Sequence, residues 1–140
     1  MAVAYACFAN GGYYREPTLM KGIIDKHGNI IQKVALPEKY KVFNESAVNQ
    51  IDKILESVVA NGNANKAYSA LTINHGKTAT AQSGWFENGR EITHTWFCGY
   101  FEHNGKTYVV VIFKEDGISG AMDCAPVFKF ISENIVNYSS

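Results

Sequence analysis

The sequence predicts an α+β domain, an antiparallel sheet with helices packed on it. Three observations predict it. Apolar residues recur at spacings of three and four between Asn44 and Ala60, Asn-Gly pairs separate three apolar runs further on, and a second helical stripe closes the chain.

Taken in order, Met1–Ala9 reads as an Ala-rich helix closed by Asn10-Gly11-Gly12, since glycine accepts the left-handed geometry of a helix C-terminus. That helix has no N-cap ahead of it, so its start is expected upstream and the chain is expected to be truncated on its N-terminal side. Thr18–Asp25 and Asn29–Val34 read as short extended runs joined by the turn residues His27-Gly28-Asn29, with Pro17 and Pro37 bracketing them. The next helix starts at a cap on Asn44 or Ser46. It carries Val48, Ile51, Ile54, Leu55, Val58 and Val59 on one face and stops at Asn61-Gly62-Asn63. Three strands follow, Ala70–Gln82, Glu91–Phe101 and Lys106–Lys114. Asn88-Gly89 and Asn104-Gly105 lie between them, each suited to a tight turn, and the pattern is that of a meander. For Trp85, Phe86, Trp96, Phe97, Tyr100 and Phe101 core packing and cleft lining are both open, and the core is the expected place. Glu115, Asp116, Gly117 and Gly120 form a loop before the last helix, and a simple connection is the expected role. A last helix, Ala121–Val136, has Pro126 early and a stripe of Val127, Phe128, Phe130, Ile131 and Ile135.

Composition narrows the function. Hydrophobic residues at 46% against 19% charged ones fit one packed domain and not a disordered chain. The 13 basic residues balance the 13 acidic ones with no basic run, which disfavours nucleic acid as a partner. Cys7, Cys98 and Cys124 are odd in number and contain no Cys-x-x-Cys pair. They read as small buried apolar residues, neither a disulfide framework nor a structural zinc site. The longest apolar runs, Met1–Ala9 and Tyr108–Phe113, are too short to span a bilayer. His27 and His103 fall at turns and are expected in solvent. Strand alternation places His94, Trp96 and Cys98 on one face, so a His75/His94/Cys98 metal site is conceivable; separate packing and surface roles are the expected outcome, with no metal and no cofactor.

The chemistry-bearing segment is Gly76-Lys77-Thr78-Ala79-Thr80-Ala81-Gln82. A phosphate loop would need glycine five residues before Gly76, where Leu71 stands, and a helix after it, where a strand is predicted. Lys77-Thr78-Ala79 instead resembles the Lys-Thr-Gly element of serine acyltransferases that act on penicillin. Ala4-Tyr5-Ala6 through Asn10-Gly11-Gly12, Pro17, the Asn44–Gly62 helix, Trp96-Phe97-Cys98-Gly99-Tyr100 and Ala125-Pro126-Val127-Phe128 extend the match in the same order. Over nearly all its length the sequence resembles the C-terminal part of a penicillin-binding transpeptidase domain, of the monofunctional class B branch.

That resemblance implies a β-lactamase/transpeptidase-like fold and assigns roles. Lys77 would offer fixed positive charge to a substrate or β-lactam carboxylate, with the Thr78 and Thr80 hydroxyls beside it. The Thr80 backbone N–H would be half of an oxyanion hole. In the family the loop that holds Glu115, Asp116, Gly117 and Gly120 here borders the active-site cleft, although a simple connection remains the expected role. Ala79 departs from the family's glycine, and its methyl group is expected to narrow the cleft without closing it. No serine has lysine three residues later, so the Ser-x-x-Lys nucleophile is absent and this chain alone is expected to form no acyl-enzyme. Ser132-Glu133-Asn134 matches the letters of the family's Ser-x-Asn element but falls after the lysine strand, inside a helix, and is a coincidence. The implied parent is a membrane-anchored D,D-transpeptidase working outside the cytoplasmic membrane on peptidoglycan stem peptides and trapped by β-lactams. A piece of it is expected to expose apolar surface and self-associate. The alternative is a non-catalytic binding or interaction module on the same fold.

Overall fold

The computed structural model describes residues 1–138. The chain opens with α1 (Ala2–Ala9), then β1 (Tyr13–Arg15), β2 (Gly22–Ile24), β3 (Ile30–Lys33) and β4 (Lys39–Lys41). α2 (Glu45–Ala60) follows, then a single 3₁₀ turn at Asn65–Ala67. The main sheet is β5 (Asn74–Glu87), β6 (Arg90–His103) and β7 (Lys106–Lys114), and the chain ends in α3 (Gly120–Asp123) and α4 (Ala125–Tyr138).

The three long strands form an antiparallel meander in the order β5-β6-β7, as the Asn-Gly pairs predict. Asn88 (φ 52°), Gly89 (φ 78°), Asn104 (φ 50°) and Gly105 (φ 68°) all take positive φ, the conformation that matches a two-residue hairpin to the right-handed strand twist. At the start of α2 the Asn44 side chain accepts the Ala47 N–H at 2.8 Å, which satisfies one of the helix's orphan donors.

Strand alternation gives each face of the sheet its own core. On one face Phe97 and Phe101 are fully buried against Phe128 of α4, with Val59, Ala64, Ala67, Cys124 and Ala125 around them. On the other, Cys98 and Tyr100 pack against Tyr5 of α1 and Leu55 of α2. All three cysteines are free and buried.

Several elements differ from the sequence reading. A β1–β4 pair, absent from that reading, is set up by Asn10, whose side chain bonds both the N–H and the C=O of Tyr13. β2 and β3 are shorter than the runs that predict them. Their turn is held by Asp25, which accepts the backbone N–H groups of His27 and Asn29, while Gly28 takes φ 85°. β5 runs to Glu87, well past Gln82. The last helix breaks at Cys124, because Pro126 has no N–H to continue the ladder from α3. Trp85 and Phe86 are corrections to the predicted core. They stand 70% and 69% exposed near a hairpin tip that no third strand reaches. Ile54 also faces outward at the rim of the α2 stripe. His103, expected in solvent, is partly buried and its Nε2 is enclosed without a hydrogen-bond partner.

Candidate functional site

β5 is an edge strand of the main sheet, and Lys77–Thr80 lies in its first half. Side chains alternate along it: Gly76, Thr78 and Thr80 point toward the α3–α4 face, Lys77 and Ala79 toward the other. Gly76 has to be glycine, because a Cβ there would run into the Phe97 ring. The backbone alternates as well. The His75 carbonyl lies against Gly99 of β6 and so points into the ladder, as do the backbone groups of Lys77 and Ala79. The C=O and N–H groups of Thr78 and Thr80 consequently face the open edge. The Lys77 ammonium donates to the Thr78 carbonyl at 2.8 Å, which folds its positive charge back along that edge.

A groove of about 390 Å³ runs along this edge, lined by Asn63, Lys77, Thr78, Ala79, Thr80, Ser119, Gly120 and Ala121. Thr78 is buried, whereas Lys77, Ala79 and Thr80 are exposed. All four sequence-predicted site residues thus border one opening. The Ala79 methyl projects from the face opposite Thr80, so the groove stays open despite the missing glycine.

The far wall is the segment read from sequence as a simple connection, and that reading is corrected. Gly117 is tied to Thr93 by a hydrogen bond in each direction. The Asp123 carboxylate accepts from the Lys114 ammonium at 2.7 Å and from the N–H groups of Ile118 (2.7 Å) and Ser119 (2.9 Å). Together the lysine and the two amides hold its carboxyl below the ordinary carboxylate range. This knot sets Gly120 directly over the strand. Its N–H donates to Thr80 Oγ1 at 3.3 Å, and a Cβ on it would sit 2.7 Å from the Ala79 carbonyl oxygen. Asn63, Ser119 and Ala121 were missed from sequence, and Gly120 was read there as part of a connection although the loop borders the cleft in the family. Asn63 reads there only as part of a helix stop and Ser119 only as a loop residue, because neither carries a spacing that ties it to the lysine strand.

The conceived metal site is not assembled. His75 stacks on Tyr100 (centroids 4.8 Å apart, planes at 6°), and its Nε2 lies 3.4 Å from Asp52. The Tyr100 hydroxyl donates to the same Asp52 at 2.7 Å, and burial, reinforced by that carboxylate, pushes the phenol well up from its usual value. His94 is paired with Ala81, six residues along the strand from His75, a separation of about 20 Å at ~3.3 Å per residue. It packs edge-on against Phe113. No cluster of three metal-ligating side chains occurs among the described residues. Ser132 is buried in α4, where its Oγ accepts from the Asn74 amide and donates to the Lys129 carbonyl, and Glu133 accepts from Ser69. The Ser132-Glu133-Asn134 run is packing.

Residues 1–133 match the family model described as the penicillin binding protein transpeptidase domain. The chain belongs to that family. A peptidoglycan D,D-transpeptidase FtsI homolog from Mesostigma viride is 29% identical over 97% of this chain. The fold is that of a peptidoglycan synthetase from Bifidobacterium adolescentis, with a TM-score of 0.81 at 18% identity over 99% of this chain. It is also that of the transpeptidase domain of FtsI4 from Legionella pneumophila, with a TM-score of 0.62 at 24% identity over 94% of this chain. The chain spans 26% of the Mesostigma relative, 26% of the Bifidobacterium chain and 43% of the Legionella chain. The mixed helix and antiparallel-sheet fold of this transpeptidase family is therefore that of the whole described chain. No helix among the described residues is long and apolar enough to cross a membrane.

Proposed function

We propose that this chain is the C-terminal part of a peptidoglycan D,D-transpeptidase domain and supplies one wall of its cleft, the wall that holds the acyl donor's carboxylate and its developing oxyanion. The observation that carries this reading is the Lys77–Thr80 edge. A fixed ammonium, two hydroxyls and an outward backbone N–H line one open groove. In the proposed mechanism Lys77 and the Thr78 and Thr80 side chains draw the terminal carboxylate of a D-Ala-D-Ala stem peptide, or that of a β-lactam, to the strand. The Thr80 N–H then points at the oxygen on which charge gathers when a nucleophile attacks the acyl carbon. One such preorganised donor is worth about 3–4 kcal/mol in acyl transfer. Gly120 steadies it by bonding the Thr80 hydroxyl. The attacking serine of a Ser-x-x-Lys motif does not occur in this sequence, so in this reading it belongs to another part of the parent domain. Alone, the chain would bind and not acylate.

The test is direct. An N-acetyl-D-Ala-D-Ala peptide should shift the amide resonances of Lys77 and Thr80 in the isolated chain. Lys77→Ala should weaken that binding at least about tenfold, the scale of one charge-assisted hydrogen bond. Mass spectrometry after incubation with benzylpenicillin should show unmodified protein. Unchanged affinity in the lysine variant, or a covalent penicillin adduct, would refute the proposal.

A further inference from the structure

Beyond the groove, β5 carries a second constructed feature that the proposed chemistry at Lys77–Thr80 leaves unused. Between Gln82, paired with Thr93, and Phe86, paired with Glu91, the three residues Ser83, Gly84 and Trp85 stand against one, Ile92. Gly84 takes φ 75°, and four hydrogen bonds fix the bulge. Glu91 accepts from the Gln82 amide at 2.9 Å and from the Gly84 N–H at 3.0 Å. The Ser83 hydroxyl donates to the Ile92 carbonyl and accepts the Trp85 N–H. Bulges re-aim side chains, and this one fixes the backbone that carries Trp85, a residue 70% exposed. β7 ends its pairing at Thr95, so the bulged part of the hairpin extends past the sheet, further along the same strand than the groove.

The order of residues along the strand sets the direction of an acyl donor bound there. With its carboxylate at Lys77 and its reacting carbonyl at Thr80, a donor that keeps to the strand edge continues toward Gln82 and beyond. Trp85 lies five residues past Thr80, at most about 16 Å at ~3.3 Å per extended residue and less than that through the bulge. A stem peptide laid along the edge reaches the indole within four or five residues of its own, and the far end of a peptidoglycan stem peptide is joined to an N-acetylated sugar. An exposed indole offers a flat apolar face with an N–H at its rim, a surface suited to the C–H face of a pyranose ring. We propose that Trp85 is a stacking platform for the sugar end of the acyl donor, a specificity-determining residue outside the Lys-Thr-Ala element. The proposal takes its substrate direction from the groove reading above.

The experiment separates the two readings. The isolated chain is titrated with a β-1,4-linked N-acetylglucosamine tetramer, which has sugar and no peptide, and separately with N-acetyl-D-Ala-D-Ala, which has peptide and no sugar. The tetramer should shift the Trp85 indole resonance and leave that of Trp96 in place. Trp85→Ala should weaken sugar binding at least about tenfold and Trp85→Phe by less, while both variants bind the peptide as the parent chain does. A Trp85 resonance that stays still at saturating sugar, or equal sugar affinity in Trp85→Ala, overturns the platform whether or not the peptide binds. Sugar binding that persists where peptide binding fails overturns the groove reading and leaves the platform standing. Circular dichroism of each variant confirms that loss of binding is not loss of fold.

Discussion

The main sheet and the β2–β3 arm are built from similar apolar sequence and end in opposite states. In the sheet, Phe97 and Phe101 are wholly buried. In the arm, Ile23, Ile24, Ile30 and Ile31 remain 46–66% exposed, although their turn is as well formed as those of the sheet. What separates them is cover. A two-stranded hairpin has no core of its own, whereas β6 has a strand on each side and helices on both faces. Local pattern thus tells where strands form, and topology tells which of them carry stability.

The comparison can be broken by substitution. Phe97→Ala should have the largest effect. It empties a fully buried position against Phe128 and should cost about 3–5 kcal/mol, read as a lower urea midpoint at unchanged slope. A Phe97 variant of near-parental stability would show that the sheet is no better supported than the arm. Next comes Gly120→Ala, whose methyl would press on the Ala79 carbonyl and the Trp96 carbonyl at once. Overpacking of this kind should cost about 1–3 kcal/mol. Because it also displaces Thr80, it should weaken N-acetyl-D-Ala-D-Ala binding along with stability. The smallest effect belongs to the arm. Ile31→Ser should leave the unfolding midpoint within about 0.5 kcal/mol of the parent, since the side chain is already two-thirds exposed. A large loss there would mean that something covers the arm in solution.

The pH dependence sharpens the contrast at the groove wall. Asp123 is held below its ordinary value by Lys114 and two amides, so the folded state releases its proton more readily than the unfolded one. That stabilisation is complete above the unfolded carboxyl value and is lost as pH falls through the lower folded value. Urea midpoints measured downward from about pH 5 should therefore fall less steeply in Asp123→Asn than in the parent.

Much of the fold was legible because its signals are local. The Asn-Gly turns, the Asn44 cap and the three-and-four spacing of α2 each act within a few residues, and each appears where it was read. The lysine strand was legible for a different reason, a run of residue types that resembles a known element. Trp85 and Phe86 were misread because hydrophobicity alone does not reveal that β7 stops short of them. His94 and Cys98 share a face by alternation, but the register that holds His75 and His94 far apart is a property of the pairing and not of either strand.

The sequence by itself determined the Asn-Gly turns, where α2 starts and which strand carries the lysine and the two threonines. Only the tertiary structure decided that Gly120 and Ser119, some forty residues further along, close the groove over that strand. It decided too that Asn63 joins them and that Trp85 is left exposed further along the strand. The physical reason is range: caps and turns are hydrogen bonds between near neighbours, whereas a groove is the space left when distant segments pack, and no short window of sequence contains both of its walls.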